Sequence, residues 1–177
     1  IEPGKTTCLK ELESRIFRGT LGEFAESSQE RFDIVTVWHV LEHLQDPIGA
    51  IIALKKIVKP GGQLVIAIPT SEGLVYRLAV FMRKKLGWSW LLNETYYHHN
   101  PNMHFYYYNL KSIRTLLDLV GFKIEESYTL ESFDWKNFYK RFSNPIVRAC
   151  WRVVGPLIGL SRFTTKDNLV VTCRGIG

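Results

Sequence analysis

The run from residue 32 to residue 69 constrains the fold more than any other part of the chain. It reads FDIVTVWHVLEHLQDPIGAIIALKKIVKPGGQLVIAIP. Two short runs rich in β-branched residues, Ile34–Val37 and Leu64–Ile68, have the length and composition of buried strands. Between them, the Asp-Pro pair at residues 46–47 is typical of a helix start, and Pro-Gly-Gly is typical of its end. The pattern predicts adjacent parallel strands joined by a right-handed crossover helix at about residues 47–58.

Polar and aromatic residues follow each of these two predicted strands. In open parallel sheets, ligands bind beyond the carboxyl ends of the strands. We therefore expect a binding site built from the residues that follow the two strands, which are Trp38, His39, Glu42 and His43, and Pro69, Thr70 and Ser71.

The residues from His39 to His43 spell H-x-x-E-H, which is also the signature of inverted zinc peptidases. On a long helix, two histidines four residues apart can share a zinc ion, with the glutamate as base. Here a strand runs straight into His39 and the next helix starts at Asp46, so only a short turn remains. We therefore expect no metal. His43 is predicted either to hold the loop through backbone hydrogen bonds or to shift a substrate proton, and Glu42 to orient the loop.

Two further helices and two strands are predicted downstream. An apolar spacing with a basic side indicates a helix from Leu74 to about Met82, and a second helix is predicted between Asn109 and Gly121. The alternating run Phe122–Tyr128 and the apolar run Asn168–Cys173 are typical of strands. Before them, Arg15–Gly19 is also predicted as a short strand.

Four of these motifs, in this order and spacing, resemble one enzyme family. FDIV, HVLEHLQDP, LKKIVKPGGQLVIAIP and HFYYYNLKSIRTLLDLVGFKI look like the second half of a class I S-adenosylmethionine-dependent methyltransferase. The resemblance is to the small-molecule group that includes the ubiquinone-biosynthesis O-methyltransferases, from Ile1 to about Ser127 and again at residues 168–174. It implies a single α/β domain over residues 1–177 with a Rossmann-like, mostly parallel sheet whose final strand is antiparallel.

The resemblance also implies that part of this domain lies upstream of residue 1. In the family, the first strand and its glycine-rich loop lie at the centre of the sheet, beside the strand at Ile34. We therefore expect the chain to be a fragment that lacks this strand and loop, binds the cofactor poorly by itself and is inactive alone.

S-adenosylmethionine is the cofactor that the resemblance implies. Glu2 matches the acidic residue that accepts hydrogen bonds from the ribose hydroxyls, a role suited to a carboxylate. Thr20 stands where the family often has an acidic residue near the adenine, so backbone groups of Thr20 and Leu21 are expected to serve there. The full set of predicted site residues is Glu2, Thr20, Leu21, Trp38 and His39 for the cofactor, and His43 and His104 for catalysis.

The implied reaction is methyl transfer to a small-molecule or lipid-like acceptor. Two alternatives remain open at this point. One is a non-catalytic methyltransferase-like module, and the other is an NAD-dependent oxidoreductase, since Glu2 would bind a ribose equally well.

Residues 71–108 and 130–166 are predicted to be insertions that cover the substrate. Within the second, the segment 135–163 mixes apolar residues, arginines and tryptophans, which fits either a helical lid or contact with a membrane surface. The net charge of +6 suits a moderately basic enzyme, and we expect no nucleic-acid partner. The three scattered cysteines favour reduced thiols and a cytoplasmic location, with peripheral membrane contact as an addition to it.

Overall fold

The computed structural model describes residues 15–93, 104–130, 138–141, 144–160 and 166–175. In chain order the longer elements are α1 (Leu21–Ser27), β1 (Phe32–Trp38), α2 (Pro47–Ile57), β2 (Val58–Pro69), α3 (Leu74–Leu86), α4 (Leu110–Val120), β3 (Phe122–Leu130), α5 (Pro145–Leu160) and β4 (Asn168–Gly175). Short helical turns lie at Leu41–His43, Trp90–Leu92 and Phe138–Arg141.

The four strands form one sheet in the order β1-β2-β4-β3. β1 and β2 are parallel, with Val35 opposite Leu64 and Val37 opposite Ile66. β4 runs antiparallel to both of its neighbours, β2 and β3. Three strands therefore point the same way and the final one is reversed, which confirms the predicted sheet.

The crossover helix α2 spans Pro47–Ile57, in agreement with the prediction, but the Pro-Gly-Gly segment does not end it. The Asp46 side chain caps it by accepting a hydrogen bond of 2.9 Å from the Gly49 N–H. The helix ends at Ile57, because Val58 already has an extended backbone and pairs with Phe32 of β1. The Pro-Gly-Gly segment therefore belongs to the start of β2, not to the end of the helix, and Gly61 takes a positive φ of 76° there.

The main core lies between the sheet and helices α2 and α4. Ile51 and Leu54 of α2 and Ile113 and Leu117 of α4 are buried in it. Both predicted ends of α4 are confirmed. The Asn109 side chain caps its start by accepting a hydrogen bond from the Ser112 N–H, and Gly121 ends it in the left-handed conformation.

A second apolar cluster holds the helices beyond β2. Its buried members are Val75, Ala79, Leu91 and Leu92, and Val147 and Trp151 of α5 pack against it. Whether the insertions at 71–108 and 130–166 cover a substrate stays a prediction. Among the described helices, none combines the length and the apolar character needed to cross a membrane.

The strand predicted at Arg15–Gly19 is wrong. This segment is irregular, and it leads into Thr20, the N-cap of α1. Phe17 packs its ring against Phe24 of α1, with centroids 5.1 Å apart, so the segment is held by a side-chain contact and not by a sheet ladder.

Candidate functional site

The site begins where β1 ends. His39 follows the last residue of β1 and has a left-handed backbone, with φ of 51°. Its N–H donates a hydrogen bond of 2.9 Å to the carbonyl of Ala67 on β2, which fixes this turn against the sheet. A non-glycine residue in this conformation costs on the order of 1 kcal/mol or more, and such residues cluster at functional sites.

Glu42 carries a fully buried carboxylate at the centre of this loop. The residue has 0% exposure. Its Oε1 atom lies 3.3 Å from His39 Nδ1 and 3.9 Å from His43 Nε2. Neither carboxylate oxygen has a hydrogen-bond partner among the described residues. A buried charge is costly unless it is compensated, and these two imidazole rings are positioned to interact with it.

The segment that begins at His104 lies directly on this loop. The N–H groups of Phe105 and Tyr106 donate to the carbonyl of Glu42, at 2.8 and 3.3 Å. The Tyr106 hydroxyl donates to the carbonyl of Gln45 at 3.3 Å. Residues 104–106 therefore touch the loop that follows β1.

These contacts bring the two predicted catalytic histidines together. The ring centroids of His43 and His104 are 4.6 Å apart, with the planes at 67°, and His104 also meets Tyr107 edge-on at 5.3 Å. Burial lowers the pKa of His104, and the neighbouring His43 lowers it further, while Glu42 acts in the opposite direction. His104 is therefore neutral at neutral pH and able to accept a proton.

Tyr108 joins this loop to the end of β2, and sequence reasoning did not single it out. It forms a bridge with Thr70, and its carbonyl accepts a hydrogen bond of 2.8 Å from the Ser71 N–H. Burial, and then the nearby Tyr106 and Glu42, raise the pKa of its hydroxyl, so it stays protonated. The aromatic run from Phe105 to Tyr108 could have pointed to Tyr108, but aromatic runs are common in cores and do not indicate a functional role.

The same loop could bind a metal ion. Glu42, His43 and His104 place one ligand atom each within 4.8 Å of one another. Three such ligands are a usual set for a catalytic zinc ion. The third ligand in this set is His104, and not His39, the first histidine of H-x-x-E-H. The expectation of no metal stays a prediction.

The structure describes all of the predicted cofactor residues except one. Glu2 lies outside the described residues. The Thr20 hydroxyl accepts a hydrogen bond of 3.2 Å from the Glu23 N–H, and the Thr20 N–H donates to the Glu23 carboxylate at 2.6 Å, so both groups serve the start of α1. Leu21 opens that helix. Trp38 is 54% exposed at the end of β1, beside His39. Their roles toward a cofactor stay predictions.

The fold agrees with comparison to known proteins. Residues 8–127 match the family described as a methyltransferase domain. That match covers more than half of the chain, so the protein belongs to the methyltransferase domain family. A solved S-adenosylmethionine-dependent methyltransferase from Archaeoglobus fulgidus has a TM-score of 0.51 at 18% identity, covering 89% of this chain and 66% of that one. This confirms the Rossmann-like methyltransferase fold.

Curated relatives match over shorter stretches. The chain is 38% identical over 61 residues to the ubiquinone biosynthesis O-methyltransferase of Alkalilimnicola ehrlichii, covering 34% of this chain and 25% of that enzyme. It is 34% identical over 83 residues to the enzyme of the same name from Klebsiella pneumoniae, covering 45% of this chain and 34% of that enzyme. The alignments thus span a quarter to a third of these relatives.

Proposed function

We propose that the protein transfers a methyl group from S-adenosylmethionine to an oxygen of a small-molecule or lipid-like acceptor. Membership of the methyltransferase domain family supports the reaction, and the similarity to O-methyltransferases supports an oxygen acceptor. The observation that carries the proposal is the contact between His104 and His43 above the buried Glu42, at the carboxyl end of β1.

The residues around β1 suit the cofactor. The exposed ring of Trp38 offers an apolar surface at the edge of the sheet, and His39 adds a polar side chain that is about half exposed. When bound, S-adenosylmethionine supplies an electrophilic methyl group on a positively charged sulfur.

His104 is the proposed general base. It is neutral because burial disfavours its charged form, and so it can take the proton from an acceptor hydroxyl as the oxygen attacks the methyl carbon. The ring of His43 fixes the orientation of His104 through their edge contact. The carboxylate of Glu42 stabilises the positive charge once the proton has moved to the imidazole.

Methyl transfer from labelled S-adenosylmethionine to catechol tests this role in the complete gene product. Replacing His104→Gln should lower kcat by about 100-fold, because a positioned base contributes at least that much. Tyr128→Phe, a change of an exposed ring on β3, is the matched control and should leave kcat unchanged. Full activity in His104→Gln would show that this residue is not the base.

Three further measurements separate the alternatives. A chelator should leave the rate unchanged if the histidines move a proton, and abolish it if Glu42, His43 and His104 hold a metal ion. Titration with NAD in place of S-adenosylmethionine tests the oxidoreductase alternative, and cofactor binding without turnover on a panel of hydroxylated acceptors would indicate a non-catalytic module.

A further inference from the structure

Helix α3 buries one side and leaves a second apolar side uncovered. Val75 and Ala79 point into the second apolar cluster. Leu74, Leu78 and Phe81 are 43%, 49% and 55% exposed. These three are spaced four and three residues apart, so they lie on one side of the helix. Leu74 and Leu78 belong to the apolar spacing that predicted this helix, and the structure leaves both exposed.

Cationic residues border this exposed apolar stripe. Arg77, Lys84 and Lys85 are exposed on α3, as is Arg83, and the helix contains no acidic residue. Just beyond the helix, Trp88 is 55% exposed. An apolar stripe with flanking lysine and arginine and a tryptophan at its end is the pattern of a helix that lies in a membrane interface.

Helix α5 also has one side packed on the second apolar cluster and another side that exposes apolar residues. Val147 and Trp151 pack against the cluster that holds α3. Ile146 and Val153, seven residues apart and therefore on one side, are 73% and 66% exposed. Arg152 is exposed next to them.

We propose that the exposed side of α3, with that of α5 as a second contact, docks on an anionic lipid surface. Arg77, Lys84 and Lys85 would meet the lipid headgroups, while Leu78 and Phe81 enter the boundary with the acyl chains. The stripe alternates apolar groups with charge of only one sign, so a protein partner would need apolar and acidic side chains at matching positions. An anionic bilayer presents negative headgroups and apolar chains everywhere on its surface. This docking is independent of methyl transfer.

Sedimentation with vesicles tests the proposal on the full chain. The protein should bind vesicles of mixed phosphatidylglycerol and phosphatidylcholine, and added salt should weaken that binding. Lys84→Gln with Lys85→Gln should reduce the partition coefficient by about fivefold for each charge. Phe81→Ser should reduce it by about tenfold, as expected for one large apolar side chain. Binding of the protein to vesicles of phosphatidylcholine alone should be far weaker.

A matched variant controls for loss of surface apolar area and charge. Leu119→Ser with Lys111→Gln changes an exposed leucine and an exposed lysine on α4, and it should bind vesicles like the unchanged chain. Equal binding by the α3 variants and the unchanged chain would overturn the proposal. So would a dimer in solution that Phe81→Ser dissociates while vesicle binding persists, because a second copy would then cover this side.

Discussion

Strands β1 and β2 have similar apolar sequences and different surroundings. In β2, Leu64, Ile66 and Ile68 are fully buried. In β1, Ile34 is 60% exposed and Trp38 is 54% exposed. β2 lies between β1 and β4, whereas β1 is the edge of the described sheet. An apolar run therefore predicts a strand, but the neighbours of the strand decide how much of it is buried.

The largest expected effect contrasts one residue from each strand. Ile66→Ala should lower the free energy of unfolding by about 2–5 kcal/mol, because it leaves a cavity in the core. Ile34→Ala should change it by no more than about 0.5 kcal/mol, as for other exposed positions. Chemical denaturation of both variants measures the difference, and equal losses would show that β1 is as buried as β2.

A smaller effect should appear in association and not in stability. The exposed apolar edge of β1 is a surface on which strands of other chains can pair. Ile34→Lys should therefore slow aggregation severalfold, as followed by light scattering at constant temperature. Leu119→Lys, at a leucine that is 70% exposed on α4, should have little effect. If both variants aggregate at the rate of the unchanged chain, the edge is not the site of association.

The smallest effects are expected for two ion pairs, one between β1 and β2 and one between β3 and β4. Lys59 on β2 lowers the pKa of Asp33 on β1, and Arg174 on β4 lowers the pKa of Glu125 on β3. A lowered carboxyl pKa means stability that is present above the unfolded-state pKa and is lost as the pH falls through the folded-state pKa.

Both pairs are exposed, so solvent screens them strongly. Asp33→Asn and Glu125→Gln should barely change stability at neutral pH and should make unfolding slightly less sensitive to acid below pH of about 4. Thermal unfolding across the acid range measures this. A large loss at neutral pH in either variant would show that its pair contributes more than an exposed contact.

Local signals predicted the fold well. The Asp46 cap, the Asn109 cap and Gly121 all act as the sequence indicated, because capping depends on residues close in the chain. Burial was less predictable: of the apolar residues of α2, Ile51 and Leu54 are buried, while Ile48 and Ile52 are about 45% exposed. Which apolar residue is covered depends on distant segments.

The candidate site was predictable only in part, for the same reason. Strand-end placement indicated His39 and His43, and the family resemblance indicated His104. Their direct contact rests on hydrogen bonds between Glu42 and residues about 60 positions away, which no local pattern encodes. The burial of the Glu42 carboxylate also follows from that contact, so its central position could not be read from the sequence.

The proposed mechanism requires a buried, neutral His104 in contact with His43, close to Glu42. Titration of the histidine ring nitrogens by NMR, with a chelator present, measures its pKa directly. His104→Gln identifies its resonance. We expect the pKa of His104 to lie below the ordinary value of 6.5 and to rise when His43→Gln removes the neighbouring ring. A pKa at or above 6.5 that does not respond to His43→Gln would contradict the geometry from which the proposed base was inferred.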